Sequence, residues 1–169
     1  MSESVLTLFD ASVKRFNKRP AIQYFCPQKN TWTIKTWAET SVSVNRLANA
    51  LKSLQLESGA RIAILSMTRP EWVMADIATM KASSVVVPIY HSSLTDQIAY
   101  ILADAEVSAI FVENDLQLKK IRALETSLHL KKIVIFDRVD GPLLANEIYF
   151  DDFIDNHNEI CPSPQADPK

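Results

Sequence analysis

The run from Ala60 to Tyr90, ARIAILSMTRPEWVMADIATMKASSVVVPIY, decides how this chain is read. Ile62–Leu65 and Val85–Val87 are apolar runs with no polar alternation, the pattern of parallel strands buried on both faces. Between them, Thr68-Arg-Pro-Glu71 has the T-x-x-E form of a capping box. Pro70 falls in the first helical turn, where its missing N–H costs nothing. Strand, loop, helix, strand is a unit that crosses over right-handedly and needs parallel neighbours.

Working outward, similar apolar runs follow at Ala109–Val112 and Ile133–Phe136, each about 24 residues after the last. Ser93 and Asp96 are expected to cap a helix with the stripe Leu94, Ile98, Ile101, Leu102 and Ala105. Asn114 and Gln117 are expected to cap another, with Leu116, Ile121, Leu124 and Leu128 facing inward. Upstream, Val5, Phe9, Val13 and Phe16 mark a first helix. Residues 21–25 and 31–34 read as a hairpin. Thr36 and Glu39 form a capping box for a helix reaching about Leu54, with Trp37, Val44, Leu47, Ala48, Leu51 and Leu54 inward and Gly59 in the connection after it. Strands alternating with helices predict an α/β fold. A parallel sheet of at least four strands carries helices on both faces, with a small N-terminal helix and β-hairpin attached. The expected organisation is a domain over 1–160, divided into 1–58, four βα units over 59–137, and an irregular 138–160 in which 148–154 forms one short helix or strand. Residues 161–169, with three prolines, read as a linker or tail.

Composition narrows the function. At 169 residues and a net charge of −2, the chain suits one domain or part of a larger one, with no basic stripe of the kind nucleic acid requires. No apolar run reaches the roughly 18 residues that span a bilayer, and no signal peptide opens the chain. Cys26 and Cys161 lie far apart and read as free thiols of a cytoplasmic protein. Only Gly59 and Gly141 are glycine, too few for a glycine-rich phosphate loop.

Sites in doubly wound sheets gather at the carboxyl ends of the strands. Those ends are Ser66–Thr68, Pro88–Ser92, Glu113-Asn114 and Asp137-Arg138. Tyr90 and His91 are the rim candidates for substrate binding, although a polar residue in a βα loop is the plainer reading of His91. His129 and His157 read as structural. Asp151, Asp152 and Asp155 lack a metal-loop spacing and read as a solvated face. Trp37 and Trp72 occupy core positions of helical stripes. Asp76, inside an apolar helix, is expected to pair with Arg69 or Lys81 or to cap a backbone group. The residues themselves reveal no catalytic, cofactor-binding or metal-ligating set.

The run RIAILSMTRPEWVMADIATMKASSVVVPIY, followed by QIAYILADAEVSAIFVEN, resembles the AMP-forming adenylate ligases, in particular long-chain fatty acyl-CoA synthetases. The upstream TWTIKTWAETSVSVNRLANALKSLQLESGARIAIL is similar to that family's N-terminal region. The resemblance implies a ligase in which fatty acid and ATP react at Mg2+ to give an acyl-adenylate, from which CoA thiol displaces AMP. The family's Pro-Lys-Gly phosphate loop, adenine motif, magnesium glutamate, ribose aspartate and C-terminal lysine have no matching positions here. The chain is therefore expected to stop just before the phosphate loop, to be inactive alone and to bind no cofactor itself.

Its expected partners are the missing C-terminal part of the ligase or a second copy pairing through an edge strand, the latter also open to a non-catalytic interaction module. Membrane contact is expected to be at most peripheral. Ser83-Ser84 stands where the family commonly carries Ala-Gly, which predicts a local rearrangement between helix and strand.

Overall fold

The computed structural model describes residues 4–26, 29–124 and 129–155. In chain order the elements are α1 (Val5–Phe16), β1 (Pro20–Cys26), β2 (Thr31–Thr36), α2 (Trp37–Ser53), β3 (Arg61–Leu65), α3 (Pro70–Lys81) and β4 (Val85–Ile89). They continue with α4 (Thr95–Asp104), β5 (Val107–Val112), α5 (Asp115–Arg122), β6 (Lys132–Ile135), β7 (Glu147–Tyr149) and α6 (Phe150–Asp155).

β1 and β2 form an antiparallel hairpin, and the remaining strands form one five-stranded parallel sheet in the order β4-β3-β5-β6-β7. The α/β expectation holds, with one strand beyond the minimum of four.

The two faces of the sheet separate residue by residue along β3. Ile62 and Ile64 turn toward α2 and α3, meeting Val44, Leu47, Met74 and Ala78. Ala63 and Leu65 turn toward α4 and α5, meeting Ile98, Leu102, Leu118 and Ile121. All four β3 residues are fully buried. Each buried Ile or Leu contributes about 1.5–3 kcal/mol. β4 departs from the expectation of double burial, because it is an edge strand and Val85 remains 50% exposed. An apolar run without alternation does not distinguish an edge strand from a central one.

The helix starts sort by which residue comes to lie at the cap. Thr36 and Glu39 form the expected reciprocal box, with the Thr36 N–H donating to the Glu39 carboxylate at 2.7 Å and the Glu39 N–H to the Thr36 hydroxyl at 3.2 Å. Asn114 accepts from the Gln117 N–H at 3.2 Å as expected, while the Gln117 amide donates instead to the His91 carbonyl at 2.8 Å. The box expected over Thr68–Glu71 does not form. Pro70 opens α3, so Arg69 is the N-cap, and its guanidinium takes the Glu71 carboxylate at 2.7 Å. α4 is likewise capped by Leu94 rather than Ser93, with the Gln97 side chain accepting the Leu94 N–H at 3.0 Å.

The stripes are correspondingly narrower than expected. Val5, Leu94 and Leu116 face solvent, and Leu118 replaces Leu116 in the core. Leu128 lies outside the described residues.

The segment expected as one short helix or strand over 148–154 holds both β7 and α6. It joins β6 by a parallel connection without a helix, held by a buried ion pair. The Glu147 carboxylate accepts from Arg122 at 2.8 and 2.6 Å and from the Leu144 N–H at 2.9 Å, and Arg122 also donates to the Pro142 carbonyl. Burial opposes the Glu147 charge, but the Arg122 and Leu144 donors outweigh it and hold the carboxyl below its usual range. Ser83 carries φ +59°, the left-handed geometry that favours glycine. The strain at the Ser83-Ser84 departure therefore sits at Ser83.

Two outcomes follow for stability. Ser83→Gly should stabilise the chain by about 0.5–1 kcal/mol in urea melts, since glycine adopts this conformation without the steric penalty. Arg122→Ala should cost about 3 kcal/mol by leaving Glu147 buried and unpaired. Because the folded pKa of Glu147 is depressed, its contribution is complete above the unfolded value of 4.5 and is lost as pH falls through the folded value. Acid titration of Glu147→Gln should show a shallower loss of stability than the parent.

Candidate functional site

The strand order changes direction between β3 and β5, because β3 is followed outward by β4 and the chain then returns across it to β5. Clefts in open α/β sheets form at the carboxyl ends of the strands at such a reversal. One lies there in this chain, with a volume of about 860 Å³. Met67 to Glu71 after β3, Glu113 after β5 and Phe136 to Arg138 after β6 line it, and Tyr24, Phe25 and Cys26 of β1 make the opposing wall.

Arg69 organises this cleft. Its guanidinium donates to Glu71 at 2.7 Å and to Asp137 at 2.9 Å, and lies 5.4 Å over the Phe136 ring. Burial disfavours its charge, and the bonds to Asp137 and Glu71 outweigh that, holding the guanidinium above its ordinary value. Phe136 in turn stacks on Phe111 and meets Phe150 edge-on, so the arginine rests on the core. Glu113 accepts the Met67 N–H at 2.8 Å, and the Asp137 N–H donates to the Glu113 carbonyl at 2.9 Å. These bonds join the ends of β3, β5 and β6. The Tyr24 hydroxyl is pushed up, first by burial and then by the nearby Cys26 and Glu71.

The cleft thus has a fixed, charged floor. Its carboxylates Glu71, Glu113 and Asp137 already accept from Arg69 or from a backbone amide. Among the described residues there is no group of three His, Cys, Asp or Glu side chains placed to hold a metal ion. The geometry supports a rigid wall for a bound molecule.

The rim candidates Tyr90 and His91 are at the end of β4 and do not line this cleft. Tyr90, 84% exposed, borders a separate groove of about 660 Å³ with Ser92, Ser93, Asp96, Gln97 and Tyr100. His91 offers its carbonyl to Gln117 and Lys120, and Lys120 also donates to the Ser93 carbonyl, which ties the loop to α5. Asp76 pairs with neither expected partner. Arg69 is engaged as above, Lys81 donates to Asp10 at 2.8 Å, and burial raises the Asp76 carboxyl. Asp151, Asp152 and Asp155 are exposed, as expected of a solvated face. His157 and Cys161 lie outside the described residues. Sequence reading named Glu113 and Asp137 only as strand ends and missed Arg69, which holds Asp137 and Glu71 together. The signal available was an arginine immediately before a helix-opening proline, at a strand's carboxyl end.

The model of the AMP-binding enzyme family matches residues 9–168. The long-chain-fatty-acid–CoA ligase FadD15 of Mycobacterium bovis is 33% identical over 111 residues, covering 66% of this chain and 18% of that protein. The long-chain-fatty-acid–CoA ligase heimdall of Drosophila melanogaster is 28% identical over 145 residues, covering 85% and 21% respectively. The chain therefore spans about a fifth of the length of these curated relatives. Among solved structures, the anthranilate CoA ligase AuaEII in complex with anthranoyl-AMP superposes with a TM-score of 0.83 at 22% identity, over 96% of this chain and 30% of that one. The coronafacic acid ligase of Pectobacterium brasiliense superposes with a TM-score of 0.83 at 16% identity, over 96% and 31%. These likenesses show the fold.

Arg69→Met should cost about 2 kcal/mol in urea denaturation, because two charge-assisted interactions are lost. Arg69→Lys should recover less than half of that, since one ammonium does not reproduce the planar fork or the stacking on Phe136.

Proposed function

The chain belongs to the AMP-binding enzyme family, and on that premise we propose that it is the N-terminal portion of a long-chain-fatty-acid–CoA ligase. The reaction proposed for the whole enzyme joins fatty acid and CoA at the expense of ATP, through an acyl-adenylate, with AMP and diphosphate released. The observation that carries this reading is the 33% identity to the Mycobacterium bovis ligase over 111 residues. In this proposal ATP, Mg2+ and CoA are held by other parts of the enzyme. The carboxylates of the cleft are committed to Arg69 and to backbone amides, a poor fit to a magnesium site, and Gly59 and Gly141 do not make a phosphate loop. The role assigned to this chain is to supply one braced wall of the substrate cavity. Preorganised contacts to phosphate and metal provide most of the rate in such transfers, so the chain alone is expected to be inactive.

A second reading is a non-catalytic interaction module, or one half of a split ligase, that pairs through the exposed edge of β4 with the complementary part or with another copy. Val85, 50% exposed on that edge, and Tyr90 just beyond it favour it. No helix among the described residues is long and apolar enough to cross a membrane.

Titration calorimetry with ATP–Mg2+ and a palmitoyl-adenylate analogue, alongside turnover with palmitate and CoA, tests the first reading. No turnover is expected from the chain alone, and turnover would overturn its assignment as a catalytically incomplete portion. Gel filtration over a range of concentrations tests self-pairing, which a monomer throughout would rule out.

A further inference from the structure

Tyr24, Phe25 and Cys26 follow one another along β1, and all three line the cleft. Successive side chains of a strand point to opposite faces, so three in a row meet the cleft only where the strand turns its edge to it. β2 occupies the other edge, and among the described residues no strand pairs with β1 on the cleft side. The cleft is therefore bordered by open backbone as well as by side chains.

Which groups lie open follows from the turn. The Cys26 carbonyl accepts the Lys29 N–H at 3.2 Å, so the Cys26 backbone faces inward toward β2. Cys26 stands opposite Thr31, Phe25 opposite Trp32 and Gln23 opposite Ile34, and in an antiparallel pair the bonding residues alternate. Tyr24 thus also bonds inward, and the N–H and C=O groups of Gln23 and Phe25 point outward, to the cleft. A strand edge is ordinarily blunted by a charge or a proline within it. β1, PAIQYFC, has no charged residue, and its proline stands at the first position, where it interrupts no ladder.

We propose that the outer edge of β1 takes up an extended peptide segment of a partner protein, which adds a strand to the hairpin and brings a lysine or arginine to the floor of the cleft. The two N–H and two C=O groups of Gln23 and Phe25 supply main-chain bonds of the kind by which sheet edges bind peptides. The cleft, at about 860 Å³, is in the size range of ligand sites. Charge selects the basic side chain. Glu71, Glu113 and Asp137 line the cleft with Arg69 as the cation among them, while Arg138 is engaged by Asp152 at 3.3 Å. Among the described residues one carboxylate is left without a cation, that of Glu113, which accepts a backbone amide.

The probe is a fluorescein-labelled peptide of alternating threonine and valine with one central lysine, titrated with the purified chain and read by fluorescence anisotropy. Saturable binding is expected, since main-chain pairing tolerates most side chains. N-methylation of consecutive central amides of the peptide should weaken it at least about tenfold, and glutamate in place of the lysine severalfold. Gln23→Pro removes one outward N–H and an exposed side chain, so it should weaken binding about fivefold and leave the urea midpoint close to the parent's. Tyr24→Pro removes an inward N–H and should lower that midpoint clearly.

No saturation up to about 1 mM peptide, equal binding of the N-methylated peptide, or binding indifferent to Gln23→Pro would overturn the proposal. So would a Gln23→Pro chain as unstable as Tyr24→Pro, which would put the Gln23 amide in the ladder with β2. A peptide-free dimer broken by Gln23→Pro would assign the edge to a second copy and overturn it equally. Peptide binding is read without any ligase reaction, so its failure leaves the ligase reading standing.

Discussion

The structure depends on the burial of β3 from both sides. Four consecutive apolar residues with no exposure force two separate layers of helix onto the sheet, and those layers must come from different parts of the chain. α2 and α3 supply one layer, α4 and α5 the other. With right-handed crossovers, that division requires β4 on one side of β3 and β5 on the other. The direction reversal at which the cleft opens is thus a geometric result of how β3 is covered.

What the cleft then acquires is rigidity. A charged residue at the end of a strand would ordinarily be mobile and well hydrated. Arg69 is fixed instead between two carboxylates and an aromatic ring that is itself packed on Phe111 and Phe150. The loops after β3 and β6 are tied by one side chain, and those after β3 and β5 by Glu113.

How much of this was legible in the sequence varies with the range of the interaction that decides it. Ile62–Leu65 and Ala109–Val112 read correctly as strands because apolar runs of that length are local signals. Val85–Val87 also read as a strand, but its edge position depends on what lies beside it in space. The Thr36–Glu39 box was legible because its bonds are local. The Thr68–Glu71 box had the right letters, but Pro70 sets the helix start one residue late and Arg69 takes the carboxylate. β7 is three residues long and pairs through contacts distant in sequence, which no periodicity reveals. The cleft was least legible. Arg69 and Asp137 are 68 positions apart, and only the completed sheet brings them together.

Pro88 gives the exposed edge of β4 a particular character. The Val85 N–H points inward to the Ala60 carbonyl, so by the alternation of a strand Val87 and Ile89 also turn inward, while Val86 and Pro88 turn outward. Proline has no amide hydrogen, which leaves the backbone of Val86 as the single outward donor along this strand. A neighbouring strand laid along β4 would miss one donor of the ladder, at Pro88, and keep the Val86 amide and the Val86 and Pro88 carbonyls. Pairing along this border is thereby weakened at one rung and leans more on the flanking side chains, which works against open-ended, fibre-like growth.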